Sequence, residues 1–142
     1  MVKLVFLSSA FFNDYSGCKE LEKKTDRPYA CAKLELNGVT FCIPMRSNIR
    51  HKYALFTDKE NCCGLDFTKT VVIAKECYID NSRKPYIRPN EFDVIKKMNE
   101  HDLQKGLTKY IKEYKKAKAH PNADHNKMIL RYSSLQYFEG YI

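Results

Sequence analysis

Asn37-Gly38, set between two runs of strand-favouring residues, constrains this chain more than any other pair. Both residues accept positive φ at low cost, and a two-residue type I′ turn joins antiparallel strands without splaying them. Such a turn fixes the register. Leu36 opposes Val39, Leu34 opposes Phe41 and Ala32 opposes Ile43, giving one apolar face from both strands. Lys33 opposite Cys42 and Tyr29 opposite Arg46 fall on the other face. Pro44 donates no ladder hydrogen bond, which predicts an edge or a bulge there.

More elements surround the hairpin. Residues 3–7 read as a strand, and Ser8 or Ser9 can cap a short helix over 10–15 that Gly17 ends. Strands are expected over 53–56, 67–74 and 76–79. Asn90 reads as an N-cap opening a long helical region to about residue 119, with Asn99 or Gly106 as candidate breaks. A final helix or two is expected over 126–140 with Ser133 or Ser134 as an internal cap. The fold class is α+β, in one domain covering 1–142.

Lysine and arginine number 25 against 17 acids, a net charge of +8. A small basic domain is favoured near a polyanion, with nucleic acid first and an anionic membrane surface second. No helix pairs a basic face with a strongly hydrophobic one, which counts against the membrane surface. No stretch approaches the roughly 18 apolar residues of a spanning helix. The apolar run over 1–7 is too short for the core of a signal peptide. The six cysteines are therefore read as reduced thiols of a cytoplasmic protein. Cys62-Cys63 is not a CxxC pair, and His120 and His125, five apart, lack matching cysteines. HExxH, P-loop and GxGxxG patterns are absent, so neither a metal nor a nucleotide cofactor is expected.

Two features suit RNA. Lys105, Lys109, Lys112 and Lys116 recur at helical spacing, opposite an apolar stripe of Leu103, Leu107, Tyr110, Ile111 and Tyr114. Aligned ammonium groups repel one another unless a polyanion is near, so the stripe is either a solvated face or a phosphate track. The second feature lies just past the hairpin: Arg46-Ser47-Asn48-Ile49-Arg50-His51-Lys52 packs cations, a hydroxyl, an amide and an imidazole into a strand-end loop. Such a set suits phosphate handling.

Taken together, several motifs resemble a known family. They are the first strand ending Phe6-Leu7-Ser8-Ser9, Arg27-Pro28-Tyr29, Leu34-Glu35-Leu36-Asn37-Gly38, the run Ile43-Pro44-Met45-Arg46-Ser47-Asn48-Ile49-Arg50-His51-Lys52-Tyr53, and Tyr132-Ser133-Ser134-Leu135-Gln136-Tyr137-Phe138. In this order they resemble the toxins of type III toxin–antitoxin systems, the ToxN/AbiQ superfamily, and are most similar to its CptN and TenpN branches. The resemblance implies a compact, strongly twisted, barrel-like antiparallel sheet flanked by helices. It implies a metal-independent endoribonuclease that makes 2′,3′-cyclic phosphate and 5′-hydroxyl ends. The implied role is growth inhibition and phage defence. The implied partners are cellular mRNA as substrate and a folded, repeat-derived RNA antitoxin, commonly a pseudoknot, held in a closed protein–RNA assembly. DNA and membranes are not expected partners. ToxN carries Thr-Ser followed closely by lysine where this chain has Arg46-Ser47 and then His51-Lys52, and a lysine at the place of Arg27.

Metal-free RNA cleavage uses the 2′-hydroxyl as nucleophile and needs a base, cations for the phosphorane-like charge and an acid for the departing oxygen. The candidates for these steps are His51, Ser47, Arg46, Lys52, Tyr29 and Arg27. Asn48, Arg50, Lys33, Tyr86, Arg88 and the four helix lysines are candidate RNA contacts. An imidazole suits proton transfer near neutrality and a guanidinium can fork onto phosphate, but which group is acid and which is base stays open. The competing reading is a non-catalytic basic RNA-binding module.

Overall fold

β2 (Ala30–Leu36) and β3 (Val39–Arg46) form the expected hairpin. Asn37 and Gly38 take φ of 52° and 78°, and Leu36 pairs Val39, Leu34 pairs Phe41 and Ala32 pairs Ile43. The computed structural model describes residues 2–18, 21, 30–82 and 87–142. β1 (Lys3–Leu7), β4 (Ala54–Asp58), β5 (Cys63–Asp66), β6 (Val71–Val72) and β7 (Ile79–Asp80) complete the sheet. Its strand order is β4-β5-β3-β2-β1-β7, with β6 also pairing β3 and every pairing antiparallel. The class is α+β as expected, but the sheet is open at β4 and β7 rather than closed into a barrel.

Pro44 explains the break between β5 and β6. In a two-residue hairpin the pair flanking the turn exchanges hydrogen bonds, and bonded and non-bonded pairs alternate from there. Pro44 opposite Cys31 is then a non-bonded pair, so the N–H it lacks would have pointed away from β2. Thr40, of the same parity, turns its carbonyl that way to accept from Ile73 N at 2.8 Å. The neighbour on that edge is consequently discontinuous. β5 pairs Met45 and Arg46, β6 pairs Phe41 and Cys42, and the chain between them makes a 3-10 turn at Phe67–Lys69.

That turn corrects the strand expected over 67–74. The one expected over 76–79 is a 3-10 turn at Glu76–Tyr78 followed by β7. The helices are α1 (Ser9–Asp14), α2 (Pro89–Lys97), α3 (Glu100–Ala119) and α4 (Asp124–Tyr132). Asn90 is not the N-cap of α2. Arg88 is, because Pro89 takes the first helical position, where a missing N–H costs nothing. Asn90 instead donates to Asp58 Oδ2 at 3.0 Å. The long helical region does break at Asn99, whose side chain caps α3 by accepting from Asp102 N at 2.8 Å.

Leu103, Leu107, Tyr110, Tyr114 and Ala117 bury the stripe of α3. Each large apolar side chain so buried contributes about 2 kcal/mol. Gly106 lets α3 approach the 3-10 turn, since a Cβ there would stand 2.6 Å from Phe67 Cζ. The core holds the sheet, the turn and α3 against one another, with Phe41, Ile43, Leu65, Phe67, Leu135 and Phe138 all buried. Among the described residues no helix is long and apolar enough to cross a membrane.

Candidate active site

A pocket of about 420 Å³ opens where the end of β3, the 3-10 turn at Phe67–Lys69, α3 and α4 converge. It is within the size range of small-molecule and cofactor sites. Arg46, His51, Tyr53, Thr68, Lys69 and His125 line it, with Met128, Ile129 and Tyr132 as an apolar wall.

The loop after β3 is shaped by three local features. Arg46 ends the strand, and Asn48 turns the chain with a φ of 58°, a conformation that asparagine tolerates better than most residues. Ile49 is buried and its N–H bonds Cys62 O at 2.9 Å, which pins the middle of the loop. Tyr53 O then accepts from Phe67 N at 3.0 Å, tying the loop to the 3-10 turn.

Asp66 organises the charged wall of the pocket. Its side chain has no solvent exposure. Oδ2 lies 2.7 Å from Arg46 Nη1, and Oδ1 lies 3.3 Å from His51 Nε2. Oδ1 also accepts from Thr68 Oγ1 at 2.6 Å and from Thr68 N at 2.9 Å, an N-cap of the turn. Burial opposes the charge on this carboxylate. The hydrogen bonds from His51, Thr68 and the Arg46 guanidinium outweigh it, holding the carboxyl below its ordinary 3.8. A buried carboxylate thus orients a guanidinium and an imidazole whose side chains remain 29% and 31% exposed.

The imidazole is held at both nitrogens. His51 Nδ1 accepts from Tyr53 N at 3.0 Å. The neutral ring therefore carries its proton on Nε2, facing Asp66 Oδ1 and, at 3.4 Å, Thr68 Oγ1. For His51 to take a further proton, Nδ1 must first part from the Tyr53 amide.

Beside the pocket runs a second groove lined by Lys52, Tyr53, Phe67, Lys109, Tyr110 and Glu113, sharing Tyr53 and Tyr110 with it. A third, shallow groove along α3 takes in Lys105, Lys109 and Lys112 and shares Lys109 with the second. The lysine stripe therefore lies beside the pocket, with Tyr53 and Tyr110 between the pocket and the groove that holds Lys52 and Lys109.

The predicted residues divide accordingly. Arg46 and His51 meet in the pocket, Lys52 and three lysines of the stripe line the adjoining grooves, and Lys116 is exposed farther along α3. Ser47, Asn48 and Arg50 are exposed on the loop without lining the pocket. Lys33, half-buried on β2, pairs Lys3 and Cys42 away from it. Arg88 sits 3.6 Å from Glu91 Oε2 and donates to Cys63 Sγ at 3.4 Å, outside the pocket. Arg27, Tyr29 and Tyr86 lie outside the described residues.

Sequence reasoning missed Asp66, Thr68, Lys69 and His125. Asp66-Phe67-Thr68 carries an Asx-type capping pattern that could have marked the turn, though not the partners the carboxylate finds in space. Lys69 donates to Tyr132 O at 3.0 Å, at the C-terminal end of α4 where lysine is favoured. Compared with protein-family models, curated proteins and solved structures, the chain finds no match in any of the three.

Proposed function

We propose that this chain is a small RNA-cleaving enzyme that works by 2′-hydroxyl attack, in the manner of the type III toxins its motifs resemble. One observation carries the reading. The buried Asp66 presents Arg46 and His51 together at an open pocket, and a lysine-lined groove adjoins that pocket across Tyr53 and Tyr110. A buried charge held by several partners is costly to keep for packing alone and is characteristic of sites that need fixed orientation.

In this reading Arg46, oriented by Asp66, binds the scissile phosphate and offsets the charge that develops on its oxygens. Lys69, on the same wall, adds a second cation. Tyr53 and Tyr132 border the pocket with faces on which a base can stack. Lys52 and the α3 lysines guide the rest of the strand. Cellular mRNA is the proposed substrate and a folded RNA the proposed inhibitor, in the cytoplasm.

The test is cleavage of a mixed-sequence, end-labelled single-stranded RNA in EDTA, beside DNA of the same sequence. The expected result is cut RNA with 2′,3′-cyclic phosphate ends, intact DNA, and a loss of about 10²-fold or more in Arg46→Ala. Cut DNA, or RNA left whole at any protein concentration, rejects the reading.

A second reading, a non-catalytic RNA-binding module, is favoured by one observation: both nitrogens of His51 are already engaged. It predicts salt-sensitive RNA binding with no product.

A further inference from the structure

Two imidazoles line the pocket, one from the loop after β3 and one from α4. His51 is tied to Asp66 on one side and to the Tyr53 amide on the other. His125 comes from the opposite wall, in the first turn of α4, where it is exposed. The remaining groups that could exchange a proton are less suited. The hydroxyl of Tyr110 bonds Ser133 Oγ at 2.8 Å, and burial pushes its pKa well above the usual phenol range. Lys69 donates to the Tyr132 carbonyl.

Building on the proposed RNA cleavage, we infer that His125 is the side chain that accepts the proton of the 2′-hydroxyl, and that His51 is a positioning residue which fixes Asp66 and the loop. The 2′-oxygen bonds to phosphorus as the P–O5′ bond breaks. The 2′-hydroxyl proton passes to the imidazole of His125. The departing O5′ takes a proton from a water molecule, and the imidazolium neutralises the hydroxide left behind. An imidazole is the side chain fitted to this exchange near neutrality. Around His125 stand Arg46, Lys69 and His51 across the pocket, the phenols of Tyr53, Tyr110 and Tyr132, and Asp124 on its own helix. Its place on an exposed first turn means that it can be removed without disturbing the core.

The experiment measures RNA cleavage against pH for wild type, His125→Ala and His51→Ala, with His120→Ala as a control at the exposed end of α3. His125→Ala is expected to keep the wild-type melting temperature and RNA affinity, to lose kcat by about 10²-fold or more, and to lose the limb of the profile on which the rate rises with pH. Added imidazole is expected to restore part of the rate of His125→Gly. His51→Ala is expected to lower the melting temperature as well as the rate, while keeping that limb in the activity that remains. His125→Ala within about threefold of wild type, with the limb intact, overturns the assignment and leaves the cleavage reading standing. Wild-type protein that cuts no RNA removes the reaction itself and the assignment with it.

Discussion

Arg46 Nη1 stands 2.7 Å from Asp66 Oδ2, and the carboxylate between Arg46 and His51 is fully buried. Replacing Asp66 by Asn keeps the volume and removes the charge that both neighbours answer. Orphaning a buried charge costs about 3–5 kcal/mol. Arg46 and His51 retain some contact with water, so the expected cost of Asp66→Asn is nearer about 2–3 kcal/mol. Thermal unfolding should fall by about 6–10 °C. RNA cleavage should fall further than stability explains, because the guanidinium loses its fixed orientation. A variant that melts with the wild type would show that Asp66 is not the organiser of this site.

The same carboxylate makes acid stability specific. Its pKa is depressed in the folded protein, so the stabilisation is complete above the unfolded value near 3.8 and is lost as pH falls through the lower folded value. Urea midpoints measured from neutral pH down to the acid limit should fall steeply for wild type below about pH 4. Asp66→Asn, already lacking the interaction, should show a shallower fall over that window. Parallel curves for the two proteins would remove Asp66 from the acid transition.

Gly64 sets the distance between β4 and β5. A Cβ on it would stand 2.5 Å from Leu55 O and 2.7 Å from Phe56 Cα, and both are backbone atoms that cannot swing aside. Gly64 also pairs Arg46 in the ladder, two residues before Asp66. Gly64→Ala should therefore push β4 off β5 at a cost of about 2–3 kcal/mol, read as a lower urea midpoint, and should displace Asp66 from Arg46. Gly140→Ala, where nothing stands within 4 Å, is the matched control and should be close to neutral.

How far the sequence could be read depends on the range of the forces involved. The hairpin register is local, dictated by two residues with positive φ, and it matches pair for pair from Leu36–Val39 to Ala32–Ile43. The buried stripe of α3 and its cap at Asn99 are local too. Pro44 announced an edge or a bulge, but the β2–β3 register runs through it unbroken, and where the neighbouring strand would leave and return depended on partners across the sheet. That is why Phe67–Lys69, rich in strand formers, became a turn instead. Arg46 and His51 were legible because they are close in sequence and chemically conspicuous. Asp66 lies 20 residues from Arg46, and His125 is on a distant helix, so only the folded chain brings them to one pocket.

The lysine stripe of α3 offers the sharpest distinction between a solvated face and a phosphate track. Lys109 lies in both grooves beside the pocket, and Lys112 continues the line along the helix. Neutralising a phosphate on single-stranded nucleic acid releases a condensed counterion, so each contact adds about 0.7 to the slope of log K against log salt. Lys109→Gln with Lys112→Gln should therefore flatten that slope by about 1.4 for single-stranded RNA, weakening binding to a similar degree whatever the sequence. Cleavage at saturating RNA should change little, because neither residue lines the pocket that holds Arg46 and His51. Both side chains are exposed, so the fold should be unaffected. An unchanged slope would mean that the stripe is a solvated face, and that the strand leaves the pocket by another route.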